Sequence, residues 1–124
     1  MTDDGKVFII VTHGPDTPQW CATPFYMAHL AAVMEHKAKI VCQVDAVLLM
    51  KKGIAANLKA AEGGKLIIDF IRDACQAGVE MFCCSAALQS HGITEDELID
   101  ECGGIVGGGW TLNQSMAADL VLNY

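Results

Sequence analysis

The stretch MFCCSAALQSHG, residues 81–92, decides how this chain is read. Val79–Cys84 is a short apolar run with the length and composition of a buried strand. Ser85–Ser90 is rich in small residues and predicts a short helix, stopped by His91-Gly92. A strand that passes straight into a helix is the repeating unit of an α/β fold. Two adjacent thiols, Cys83 and Cys84, lie at that junction. Core filler, a disulfide, a metal site and a reactive centre are the four readings they invite.

The same alternation extends outward in both directions. Lys6–Thr12 is a short continuous apolar run whose length and β-branching predict a strand buried on both faces. Thr17-Pro18 and Thr23-Pro24 each offer an N-cap followed by proline at the first helical position, and Pro24–His36 predicts a helix. Lys39–Val44 reads as the second strand, with Asp45–Met50 extending it or forming a turn and a short further strand. Lys65–Gln76 carries i, i+4 apolar pairs (Leu66/Phe70, Ile67/Ile71, Phe70/Ala74) and predicts a helix closed by Gly78. Thr94 and Glu97 fit a capping box for a short acidic helix. Gly104–Val106 predicts a brief strand, Thr111 with Gln114 a second capping box opening a helix to about Ala118, and Leu120–Asn123 a last strand. The expected fold is one α/β domain over residues 1–124, a three-layer sandwich with a mostly parallel sheet of about five strands.

Composition narrows the function classes. Hydrophobic residues make up 52% of the 124, which favours a packed globular chain over disorder. The net charge is −7, and no basic run is present to grip a phosphate backbone, so nucleic acid is not an expected partner. The acidic MTDDGKVFIIV start lacks a signal peptide's positive region, and no apolar run approaches the roughly 18 residues of a membrane span. The expected address is the cytoplasm, where thiols stay reduced. The six cysteines include no C-x-x-C and no zinc-finger spacing, so neither a disulfide framework nor a metal site is expected.

In an open α/β sheet, ligands bind beyond the carboxyl ends of the strands, which is where Cys83 and Cys84 end theirs. Cys84 immediately precedes the expected helix, and unpaired N–H groups at a helix start stabilise a thiolate or a bound persulfide. Neighbouring strand residues point to opposite faces, so one cysteine is expected to face the cleft and the other to pack under a helix. A disulfide between them is disfavoured, since trans-linked Cα atoms are about 3.8 Å apart. Cys21, Cys42, Cys75 and Cys102 read as core or incidental thiols. GGIVGGGW, residues 103–110, reads as a flexible turn or as a loop brought close to the cysteine, with Trp110 as shield, core or interface. His13 is a candidate for proton transfer or a merely solvated loop histidine, and Asp45 a turn cap.

GVEMFCCSAALQSHGI, residues 78–93, resembles the cysteine segment of the DsrE/DsrF-like family, which includes the TusD-type proteins. The resemblance extends to VFIIVTHGPDTP (7–18), the helix at 65–77, ITEDELID (93–100) and TLNQSMAADLVLNY (111–124). It implies a small cytoplasmic sulfurtransferase or sulfur carrier. Such a protein accepts sulfane sulfur as a cysteine persulfide and passes it on, with no cofactor or metal. The family cysteine falls on Cys84, two residues after Phe82 and eight before Gly92. Cys83 is an addition, because many members place another residue there. The chain is most similar to stand-alone DsrE-like proteins beside sulfur-oxidation systems with a heterodisulfide-reductase-like complex. That implies a TusA-like carrier and a rhodanese as partners, and a homotrimer as the assembly. Two other readings stand beside it: a thiol-redox or sensing protein using Cys83 and Cys84 together, and a non-catalytic assembly subunit with core cysteines.

Overall fold

In a computed structural model that describes residues 4–124, the chain alternates strands and helices as expected; residues 1–3 of the acidic N-terminal stretch lie outside the described residues. The strands are β1 (Lys6–Val11), β2 (Lys37–Cys42), β3 (Glu80–Cys84), β4 (Cys102–Val106) and β5 (Leu120–Asn123). The α-helices are α1 (Thr23–Val33), α2 (Ile67–Gln76), α3 (Ser85–Ser90) and α4 (Gly108–Ala117). All five strands run parallel in the order β4-β3-β2-β1-β5. The chain steps from β1 to β4 in one direction, then returns across the sheet to pair β5 with β1. Right-handed crossovers therefore put α1, α2 and α3 on one face and α4 on the other.

The two faces differ in thickness. Ile9, Val11, Ile40, Cys42, Met81 and Cys83 point into the main core, where they meet Phe25 and Ala28 of α1 and Ile67, Ile68, Ile71 and Ala74 of α2. The alternate residues Phe8, Val41 and Phe82 lie on the α4 side. No residue of α4 is fully buried, and it is anchored by Trp110, whose ring lies 5.8 Å from Phe8 and 4.6 Å from Phe82. Central parallel strands covered on both faces read as continuous apolar runs, which is why KVFIIV needed no alternation to be a strand.

Local corrections follow from packing. Val44–Met50 is a 3₁₀ helix, neither a strand extension nor a further strand; Ala46, Val47, Leu49 and Met50 bury themselves on consecutive turns. The glycine-rich 103–110 segment is not a loop, because residues 102–106 form β4 and Gly108 already opens α4. Thr111 consequently sits inside that helix, and its expected cap position is taken by Gly107. The Thr94/Glu97 capping box forms as expected, on a single 3₁₀ turn. Gly78, at φ +102°, closes the α2 end in a conformation that suits glycine.

Candidate functional site

Cys84 is the last residue of β3 and the N-cap of α3. Parallel pairing brings β1, β2 and β3 to the same edge, so the loop after β1, the start of the 3₁₀ helix after β2, and Cys84 share the carboxyl end of the sheet. The side chain of Cys84 is half-buried and touches the margin of the main core cluster. Cys83 is fully buried in that cluster. Strand alternation sets Cys84 on the opposite face, in line with Phe82. The α3 helix has six residues, so it offers its first unpaired N–H groups to an anion but little additive dipole.

The surrounding edge is rigidly tied. Cys21 is buried in the β1 loop, with its thiol 3.2 Å from the Gly14 carbonyl oxygen, and burial pushes it up to about 11. His13 stacks on Trp20 at 5.3 Å, and its Nδ1 lies 3.1 Å from the Thr17 hydroxyl. Asp45 meets His91, the residue capping the end of α3, at 3.2 Å; this contact joins the loop after β2 to the helix that Cys84 begins. Gly14 lies against Asp45 so closely that an added Cβ would sit 2.4 Å from the Asp45 carbonyl oxygen. Val44, next to Asp45, is held at φ +56°, an outlier for a β-branched residue. His13 and Asp45 thus both lie at the carboxyl edge of the sheet, and both are engaged in contacts there.

Sequence reasoning missed a thiol partner of Cys83. The Sγ of Cys102, at the start of β4, lies 3.7 Å from the Sγ of Cys83. Either thiol can donate in the neutral pair. Once the pair ionises, charge rests on the more exposed Cys102, and Cys83 must donate. That hydrogen bond, with a backbone hydrogen bond at Gly104, brings Cys102 down to about 7 and pushes Cys83 up, as does burial of Cys83. Cys42, registered beside Cys83 on β2, is pushed up by burial. Among the described residues, no three His, Cys, Asp or Glu side chains converge to hold a metal ion. A cavity of about 630 Å³ opens at the opposite, amino end of the strands, lined by Lys6, Lys37, Lys39, Glu80 and Gln114, away from Cys84.

A five-stranded parallel sheet with helices on both faces and a half-buried cysteine where β3 becomes α3 defines an α/β thiol protein. Over residues 5–123 the chain matches the DsrE/DsrF-like family, and it belongs to that family. Uncharacterised protein MJ0760 of Methanocaldococcus jannaschii is 31% identical over 98 residues, which are 79% of this chain and 35% of that protein. The chain therefore spans about a third of the length of that curated relative. The YchN protein of E. coli has a TM-score of 0.81 at 19% identity, covering 97% of this chain and 99% of that one. A protein of unknown function, BT1422 of Bacteroides thetaiotaomicron, follows the same fold at 0.68 and 14% identity, covering 100% and 98%. At such identities the structural likeness speaks for the fold alone. Family membership connects the chain with a sulfur-relay-related function. Among the described residues no helix is long and apolar enough to cross a membrane.

Proposed function

We propose that this protein is a cytoplasmic sulfurtransferase or sulfur carrier that holds sulfane sulfur as a persulfide on Cys84. The observation that carries the reading is the placement of Cys84: half-buried, at the carboxyl edge of β3, and at the first N–H groups of α3. The Cys84 thiolate attacks the terminal sulfane sulfur of a polysulfide; the new S–S bond forms as the old one breaks, and the shortened polysulfide leaves. A thiolate on an acceptor then attacks the outer sulfur, and Cys84 leaves as thiolate. The acceptor is a TusA-like carrier, the donor side includes a rhodanese, and the setting is sulfur oxidation beside a heterodisulfide-reductase-like complex. Cys83 tunes the site from the buried face and does not itself carry sulfur.

A homotrimer is the proposed assembly. Leu112 and Met116 of α4, and Val33 and Met34 at the end of α1, are exposed apolar side chains that another copy would cover. The deciding experiment is mass spectrometry after incubation with polysulfide. The mass of added sulfur atoms should map to Cys84 and vanish in Cys84→Ser, while circular dichroism shows that variant folded. Loading that survives in Cys84→Ser and disappears in Cys83→Ser would reverse the assignment.

A further inference from the structure

We propose that Cys102 and Cys83 form a second reactive site, an oxidisable dithiol that takes a small, neutral hydroperoxide and closes to a disulfide. The two sulfurs face each other at 3.7 Å across β3 and β4, separated by 19 residues of sequence. They divide the labour by exposure. Cys83 is sealed in the core, whereas Cys102 is half-buried and lines a shallow cavity of about 280 Å³ with Leu98, Ile99 and Gly103. Cys102 is therefore the sulfur an oxidant reaches first, and Cys83 is the resolving partner directly behind it.

The same cavity selects the oxidant. Glu95 and Asp100 also line it, in a chain of net charge −7. Anionic polysulfides and glutathione-type disulfides are repelled there, while hydrogen peroxide is small and uncharged. The Cys102 thiolate attacks one peroxide oxygen, the O–O bond breaks, and hydroxide leaves, taking up a proton to become water. Cys102 is now a sulfenic acid. The Cys83 sulfur attacks the Cys102 sulfur, the S–O bond breaks, and the departing hydroxide takes the Cys83 proton as a second water. Two thiols have lost two electrons and two protons, and one peroxide has become two waters. Closing the sulfurs to the roughly 2.05 Å of a disulfide needs a shift within reach of a residue that begins its strand.

The low proton affinity of Cys102 supports the assignment. A thiol brought to about 7 is half ionised at neutral pH, against about one part in a hundred at an ordinary 9.0. The weaker nucleophilicity of a more acidic thiolate returns roughly eightfold of that gain, which leaves Cys102 about sixfold faster than an unperturbed thiol. None of this depends on Cys84.

The test is hydrogen peroxide added to the full chain carrying Cys84→Ser, followed by alkylation and peptide mapping. The expected product is one cross-link between the Cys83 and Cys102 peptides, with the mass loss of two hydrogen atoms. In Cys102→Ser the cross-link should be absent. Cys83→Ala removes both the resolving sulfur and the donor, so Cys102 should stop at a dimedone-trappable sulfenic acid and react about sixfold more slowly. Circular dichroism reports the fold of each variant. If Cys102 stays reduced, or over-oxidises beside an intact Cys83, the proposal is wrong. A cross-link that pairs Cys83 with any other cysteine refutes it as well.

Discussion

Replacing Trp110 by alanine should loosen the α4 side of the sheet more than any other single change on that helix. No α4 residue is fully buried, so Trp110 is its one large anchor, resting on Phe8 at 5.8 Å and on Phe82 at 4.6 Å. A half-buried indole removes on the order of 120 Å² from water, and at about 25 cal/mol per Å² that burial contributes about 3 kcal/mol. A fully buried Trp→Ala change costs about 3–5 kcal/mol, which bounds the figure from above. For a chain of this length 3 kcal/mol corresponds to a fall in Tm of about 10 °C. Urea unfolding followed by circular dichroism, at fixed protein concentration, measures it. Hydrogen exchange should show loss of protection first in α4 and then at Phe82, two residues before Cys84. Trp110→Phe keeps one ring on the pair and should cost only about 1 kcal/mol. A loss below about 1 kcal/mol in Trp110→Ala, with α4 still protected, would show that the helix is held by something other than these ring contacts.

Gly14→Ala should destabilise by about 2–3 kcal/mol, because its Cβ would fall 2.4 Å from the Asp45 carbonyl oxygen, a backbone atom that cannot rotate aside; a variant with unchanged urea midpoint contradicts the close approach of the two loops. Stability should fall as pH rises above about 9. Burial pushes Cys21 up to about 11 and also raises Cys42, and the bond to Cys102 together with burial raises Cys83; the unfolded chain thus loses these protons first, at up to about 1.4 kcal/mol per pH unit for each thiol. Cys102 acts with the opposite sign, since it ionises near 7 when folded and its contribution is lost as pH falls through that value. Denaturant titrations should therefore place the optimum near pH 9, with a shallower alkaline limb in Cys21→Ala; a stability flat from pH 9 to 11 would exclude ionisation of the buried thiols as its determinant.

The parallel core was legible because its signals are local. KVFIIV is apolar without interruption, and the buried face of α2 repeats at helical spacing through Ile67, Ile71 and Ala74. Cys84 was legible for the same reason: a strand and a helix meet at that residue with nothing between them. The 3₁₀ helix at Val44–Met50 was not, since a short apolar run looks alike in a strand and in a tight helix. Its start also depends on Val44 at φ +56°, which no side-chain pattern encodes. The partnership of Asp45 with His91 joins two elements 46 positions apart, and only the parallel register brings them together.

Cys102 was hidden by its own neighbours. Two glycines follow it, and glycine usually signals a turn, so the sequence predicts a strand only from Gly104 and leaves Cys102 outside it. The structure gives those glycines a packing role. A Cβ on Gly103 would lie 3.0 Å from the Met81 carbonyl oxygen, and one on Gly104 would lie 3.5 Å from the Phe82 ring. Small residues there let β4 approach β3 where the pairing shifts register, with Met81 opposite Cys102 but Cys83 opposite Ile105. The register shift draws Cys102 toward Cys83 on the core side, while Phe82 stays free to meet Trp110 on the other. The glycine pair that obscured the start of the strand is therefore part of what brings the two sulfurs within contact distance.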